Sequence, residues 1–187
     1  MKKKLDIIIY GATGFTGSLC VQYLKENYSD INWGIAGRNK TKLKSLCRQY
    51  SVDCKIFIAD CEDRSALDKL TRSTKVILST AGPFYRYGTN LVESCIKNKT
   101  DYVDITGETN WIKSIISKYH TEAKNKSIRI IPSCGFDSIP SDLGCLFAQR
   151  NYEESIKSID SFYKWRGELS GGTIETMFSS LQNKKSF

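Results

Sequence analysis

Between Leu5 and Phe15 the chain passes from a run of strand-forming residues into a helical pattern. The passage holds a glycine at every third position, in Gly11-Ala12-Thr13-Gly14-Phe15-Thr16-Gly17. Ile7-Ile8-Ile9 carries no polar residue, as a strand buried on both faces requires, and beyond Phe15 the residues Leu19, Cys20, Tyr23 and Leu24 recur at helical spacing. The glycines therefore sit on a strand-to-helix turn. There they allow a tight bend, let backbone N–H groups approach a pyrophosphate, and let the helix pack closely on the strand with its positive end toward the phosphates. The spacing is G-x-x-G-x-x-G rather than G-x-G-x-x-G, so an ordinary glycine-rich turn stands beside the nucleotide reading at this point.

The next strand, Asn32 to Ala36, favours the nucleotide. It ends at Gly37-Arg38-Asn39, about 20 residues past the last glycine, where a dinucleotide site places the residue that reads the adenosine ribose. An acid there accepts from the 2′-hydroxyl of NAD. Arginine instead binds a 2′-phosphate through paired, charge-assisted hydrogen bonds, so Arg38 predicts NADP(H). Lys40 and Lys42 add positive field, or are solvated lysines on the first turn of the following helix.

The 187 residues, 40% of them hydrophobic, suffice for one full domain and a remainder. Seven cysteines without a C-x-x-C pair read as reduced thiols rather than a disulfide frame or zinc site, which points to the cytoplasm. Lys2-Lys3-Lys4 precedes apolar residues, but Asp6 and Gly11 interrupt the stretch, so neither a secretory leader nor a transmembrane segment is expected. The net charge is +8, yet beyond the N-terminal lysines the basic residues are scattered among acids. No nucleic-acid partner is expected, since a basic surface serves any polyanion, NADPH included.

After Arg38 the strand and helix beat continues. Strands are expected at Lys55 to Ala59, Lys75 to Ser79, Asp101 to Ile105 and Ile128 to Pro132, with helices at Ser65 to Thr71, Tyr87 to Lys97, Trp111 to Tyr119 and Pro140 to Gln149. Such alternation implies a Rossmann-type, doubly wound parallel α/β sheet with its ligand crevice beyond the carboxyl ends of the strands. Those ends collect Gly11 to Gly17, Gly37 to Asn39, Asp60, Ser79 to Phe84, Asp104 to Glu108 and Ser133 to Ser138. Asp60 either accepts from the adenine amino group or caps a helix. Ser79 to Phe84 either runs its backbone along the nicotinamide ribose or holds, at Gly82-Pro83, a plain turn. Asp104 and Glu108 either meet substrate or nicotinamide or share the polarity of a helix start at Thr109 or Asn110.

Taken in order, Gly11-Ala-Thr-Gly-Phe-Thr-Gly17, Ala36-Gly-Arg-Asn39, Ser79-Thr-Ala-Gly-Pro-Phe84, Tyr102-Val-Asp-Ile-Thr-Gly-Glu108 and Cys134-Gly-Phe-Asp-Ser-Ile-Pro-Ser-Asp142 resemble the saccharopine dehydrogenase-like oxidoreductases, in particular the branch that includes trans-acting enoyl reductases. The resemblance runs from about Lys4 to Met177. It implies an NADP(H)-binding domain followed by an α/β domain that closes over the cofactor and supplies much of the substrate pocket. Carried over by motif, the cofactor-binding residues are Gly11, Thr13, Gly14, Phe15, Thr16, Gly17, Arg38, Asn39, Asp60, Ala81, Gly82 and Pro83.

Members of that family are about twice as long. Residues 1–150 are thus read as the NADP-binding domain and 151–187 as the truncated start of the second. Ile156 to Arg166 is expected to be its first strand, and a helix carrying Ile174, Met177, Phe178 and Leu181 follows Gly171-Gly172-Thr173. Phe162, Trp165, Met177 and Phe178 have too few partners, which predicts self-association, or local disorder after about Asn151, and leaves a homo-oligomer or a complementing C-terminal fragment as partners. The sole histidine, His120, falls within a helix and removes histidine-dependent triads and most metal sites. Hydride transfer needs no protein nucleophile. Asp137, Tyr102 and Asp104 are candidates for a proton, Asp137-Ser138 being also a helix start before Pro140, and Cys134 reads as a small buried residue. No catalytic residue is assigned. The expected function is hydride transfer to or from a C=C or C=N bond of a small, lipid-like substrate. The alternative is a non-catalytic NADP-binding module.

Overall fold

The structure is a computed structural model that describes residues 5–152, 155–164, 166 and 171. Six strands, β1 (Leu5–Tyr10), β2 (Trp33–Gly37), β3 (Lys55–Ile58), β4 (Thr74–Ser79), β5 (Asp101–Asp104) and β6 (Ile130–Ile131), form one sheet. Between and after them run α1 (Phe15–Asn27), α2 (Lys40–Gln49), α3 (Arg64–Arg72), α4 (Phe84–Tyr87), α5 (Thr89–Asn98), α6 (Thr109–Asn125) and α7 (Ile139–Asn151). The spatial order is β3-β2-β1-β4-β5-β6 and every pairing is parallel. The order reverses at β1, with β2 on one side and β4 on the other, so the Rossmann-type expectation holds.

Alternation along the strands explains why Ile7-Ile8-Ile9 is apolar throughout. Ile9 and Ile35 point to one face, where they pack with Val21 of α1 and Leu43 and Leu46 of α2. Ile8, Tyr10, Ala36 and Ile77 point to the other, against Leu67, Leu70, Leu91, Ile96 and Ile115 of α3, α5 and α6. Two helical layers thus bury both faces of β1, which leaves the carboxyl ends of the strands as the place where ligand chemistry gathers.

Three local expectations are corrected. The sixth strand spans two residues rather than Ile128 to Pro132, because the Arg129 amide donates to the Asp101 carboxylate at 2.8 Å instead of to a strand, and Pro132 has no amide to donate. The helix expected from Tyr87 begins at Phe84 and divides at Gly88 into α4 and α5. Its early start comes from a remote cap: the Glu108 carboxylate accepts from the amides of Phe84 and Tyr85, both at 2.7 Å. The described residues of the stretch Ile156 to Arg166 form no strand. Trp165, Gly172, Thr173, Ile174, Met177, Phe178 and Leu181 lie outside the described residues.

Helix α7 buries none of its residues and exposes Leu143, Leu146 and Phe147, with Phe136 exposed just before it. A helix this apolar on its outer side is shaped for a further layer.

Candidate functional site

The glycine turn is built from strand end, helix start and the β4 loop at once. Gly11 sits at φ +84°, a conformation that favours glycine, and its amide donates to the Ala36 carbonyl at 3.0 Å. A Cβ at Gly11 would lie 2.9 Å from the Ala81 nitrogen. A Cβ at Gly17 would collide with the Gly11 carbonyl and stand 2.8 Å from both Ala12 Cα and Thr80 Oγ1. The first and third glycines therefore serve packing: α1 rides directly on the turn, and the turn rides directly on the β4 loop. Thr80 stitches the same place, its amide donating to the Tyr10 carbonyl at 2.9 Å and its hydroxyl reaching the carbonyls of Tyr10 and Gly11, both at 3.2 Å.

The second glycine packs against far less: a Cβ there would meet the Gly11 carbonyl at 3.3 Å. Gly14 is the N-cap of α1 and supplies no side chain to bond the first-turn amides. The N–H groups of Phe15, Thr16 and Gly17 have no acceptor within their own helix, as at any helix start, and Gly14, which precedes them, lines an open cleft. That cleft, about 230 Å³, is lined by Gly11, Thr13, Gly14, Arg38, Asp60, Ala81 and Gly82 of the residues named from sequence. Tyr10, Gly37, Cys61, Thr80 and Tyr87 complete the lining. Phe15 and Thr16 stand on the first turn of α1, with Phe15 exposed and Gly17 buried beneath it. Pro83 precedes α4 and follows Gly82 through a cis peptide.

Arg38 is exposed at the carboxyl end of β2, with Lys40 and Lys42 exposed on the first turn of α2. Asn39 does local work: its side-chain oxygen accepts from the Lys42 amide at 3.0 Å and caps α2. Asp60 lies across the cleft and is not the helix cap. That role belongs to Asp63, which accepts from the Ala66 amide at 2.9 Å, whereas Asp60 Oδ1 closes a turn with the Glu62 amide at 3.0 Å and faces the Cys61 thiol. Tyr10 forms the floor, its buried hydroxyl donating to the Ala59 carbonyl and its phenol pushed above the usual tyrosine range by burial. An uncapped helix start, a glycine cradle that a side chain would fill, and an exposed guanidinium that makes no ion pair among the described residues fit the pyrophosphate and 2′-phosphate of NADP(H).

Beyond β5 and β6 the acids are engaged by the fold. Asp104 is 1% exposed. One oxygen accepts from the amides of Thr106 at 2.9 Å and Ser133 at 3.0 Å, and the other accepts from the Tyr102 hydroxyl at 2.8 Å. Tyr102 is fully buried, and burial raises its phenol well above the usual range. Glu108 spends both oxygens on Phe84 and Tyr85. Asp104 and Tyr102 are therefore tie points rather than proton donors to a ligand. Asp137 is exposed on the loop before α7, where Ser138 occupies the N-cap position without a side-chain cap bond and Pro140 lies in the first turn. Cys134 is half-buried, donates to the Ile131 carbonyl at 3.4 Å, and has its thiol pushed up by burial. His120 is exposed on α6. Among the described residues no group of His, Cys, Asp and Glu could hold a metal ion, and no helix is long and apolar enough to cross a membrane.

Burial is the largest influence on Asp104 and raises its pKa, against the amides of Thr106 and Ser133, which lower it. A carboxyl whose folded pKa lies above its unfolded one contributes stability fully below the unfolded value and loses it as pH rises through the folded value. Asp104→Asn retains an acceptor for both amides and does not ionise. The stability advantage of the wild type over this variant is thus expected to shrink as pH rises from about 4, in urea midpoints measured side by side. A difference flat in pH would remove the assignment. Asp104→Ala, which strands two amides and a phenol, is expected to cost about 3 kcal/mol or more.

Known proteins resemble this chain over most of its length. Residues 7–131 match the family described as the saccharopine dehydrogenase NADP binding domain. The chain is 38% identical over 199 residues to a trans-acting enoyl reductase of Mycobacterium ulcerans, covering 99% of this chain and 46% of that protein. It is 32% identical over 192 residues to a lipid droplet localized protein of Caenorhabditis elegans, covering 95% and 45%. Among solved structures, saccharopine dehydrogenase (L-Glu forming) of Saccharomyces cerevisiae shares the fold with a TM-score of 0.65 at 24% identity, over 77% of this chain and 30% of that one. The chain spans about half the length of the curated relatives it matches.

Proposed function

The chain belongs to the saccharopine dehydrogenase-like family and carries its NADP-binding domain, and from that premise we propose that it is the cofactor half of an NADP(H)-dependent oxidoreductase. The observation that carries this reading is one cleft lined together by the glycine turn, by Gly14 at the uncapped start of α1, and by the exposed Arg38. The nicotinamide, when bound, supplies or accepts the hydride. The chain's own residues bind and orient it: Gly14 to Gly17 at the pyrophosphate, Arg38 at the 2′-phosphate, Asp60 toward the adenine amino group, and Ala81 to Pro83 along the second ribose.

The substrate is a small molecule with a C=C or C=N bond, and a lipid-like enoyl group is favoured by the relatives named as enoyl reductases and as a lipid droplet protein. Residues 151–187 begin a second domain in this reading, and the exposed face of α7 is where the remainder of such a protein, or a complementing fragment, packs. The seven free cysteines favour a reducing compartment, the cytoplasm.

The test has two stages. NADPH titrated into the chain is expected to bind, with nicotinamide emission as the signal. NADPH oxidation is then followed with an enoyl thioester and with a cyclic imine, with and without the C-terminal half of a relative. Turnover with either supports the oxidoreductase. Binding without turnover in every combination favours the alternative, an NADP-binding module without chemistry.

A further inference from the structure

The loop that follows β4 forms one wall of the cofactor cleft, through Thr80, Ala81 and Gly82. At its first residue it is tied to the glycine turn by Thr80. Its far end is held by a side chain from another part of the chain. Glu108 Oε1 accepts from the Phe84 amide and Oε2 from the Tyr85 amide, each at 2.7 Å, at the short end of the range for charge-assisted bonds.

Glu108 is itself held firmly. Its amide donates to Thr106 Oγ1 at 3.1 Å and its carbonyl accepts from the Ile112 amide at 3.0 Å, which fixes it at the start of α6. Thr106 is locked in turn, its amide on Asp104 Oδ1 and its carbonyl accepting from the Ser133 hydroxyl at 2.8 Å. A continuous chain of hydrogen bonds therefore runs across the carboxyl ends of β6, β5 and β4, with Glu108 as its last link to the cleft wall. With both oxygens occupied, Glu108 is committed to the loop.

We propose that Glu108 is a positioning residue for the nicotinamide half of the site, setting the Ala81-Gly82-Pro83 loop through the two amides that follow it. The inference rests on the NADP(H) reading of the cleft. Two halves of the sheet serve two halves of the dinucleotide: β1, β2 and β3 carry the glycine turn, Arg38 and Asp60, and the cleft continues past the reversal point to the loop after β4, which Glu108 ties from beyond β5. A loop held in its bound conformation adds affinity by removing the cost of ordering it, so loss of the tie acts on ligands that reach the loop.

The experiment titrates NADPH and adenosine 2′,5′-bisphosphate, which has no nicotinamide, into the wild type, Glu108→Ala, Glu108→Gln and Arg38→Ala. Glu108→Ala is expected to weaken NADPH roughly tenfold and to leave the bisphosphate unchanged. Glu108→Gln keeps one acceptor oxygen and should fall between. Arg38→Ala should weaken both ligands, which marks the contrast. If Glu108→Ala leaves NADPH unchanged, or weakens both ligands by the same factor, the positioning role is overturned while the cofactor reading stands. If the wild type binds neither ligand, the cofactor reading falls and this inference with it. Should Glu108→Ala not fold, the same ratio is read from Glu108→Gln, and a ratio equal to the wild type's overturns the proposal.

Discussion

Gly14→Val is expected to abolish NADPH binding in a protein that still folds. The backbone of Gly14, at φ −76° and ψ 169°, is open to any residue, and among the described residues a Cβ there meets only the Gly11 carbonyl, at 3.3 Å, within 4 Å. The remaining space is the cleft itself, so the two methyls of valine stand before the first-turn amides of α1 where the pyrophosphate must come. An N-cap valine costs the helix about 1 kcal/mol, well short of the stability of a domain of this size. Fluorescence titration and thermal unfolding on the same sample separate the two effects. Wild-type NADPH affinity in a folded Gly14→Val protein would end the phosphate reading.

Arg38→Ala is expected to weaken NADPH about ten- to a hundredfold, since a hydrogen bond to a charged group contributes about 1.5–3 kcal/mol. NADH has no 2′-phosphate and should be unaffected. Arg38 stands exposed on the cleft at the end of β2, with Asn39 occupied in capping α2, so the change reaches the ligand without reaching the core. Arg38→Asp should turn the preference toward NADH by offering the 2′-hydroxyl an acceptor and the 2′-phosphate a like charge. Titration of both nucleotides against the three proteins decides the matter. Equal losses for NADPH and NADH in Arg38→Ala would reduce Arg38 to a residue that stacks on adenine or supports the fold.

What the sequence by itself determined is what depends on near neighbours along the chain. The strand and helix order, the glycine turn and the arginine at the end of β2 are all legible within a dozen residues, because buried parallel strands must be apolar throughout and a positive φ favours glycine. The direction of the sheet followed from the alternation, since parallel strands need crossover helices.

Only the tertiary structure decided what the polar residues at the strand ends do. Thr80 reaches back to Tyr10 and Gly11, 70 and 69 positions away, and Glu108 reaches Phe84 and Tyr85, 24 and 23 positions away. Asp104 reaches Ser133, 29 positions on, and by being buried becomes a tie between β5 and the loop after β6. In sequence these acids look the same as acids that wait for a substrate, because a carboxylate carries no mark of its partner. The same reason left Asp60 open between a ligand contact and a helix cap until the cap was found at Asp63, and advanced the helix start to Phe84. Whether an amide is satisfied by a residue 3 positions away, as at Asp63, or 24 away, as at Glu108, is set by which loops the sheet brings side by side.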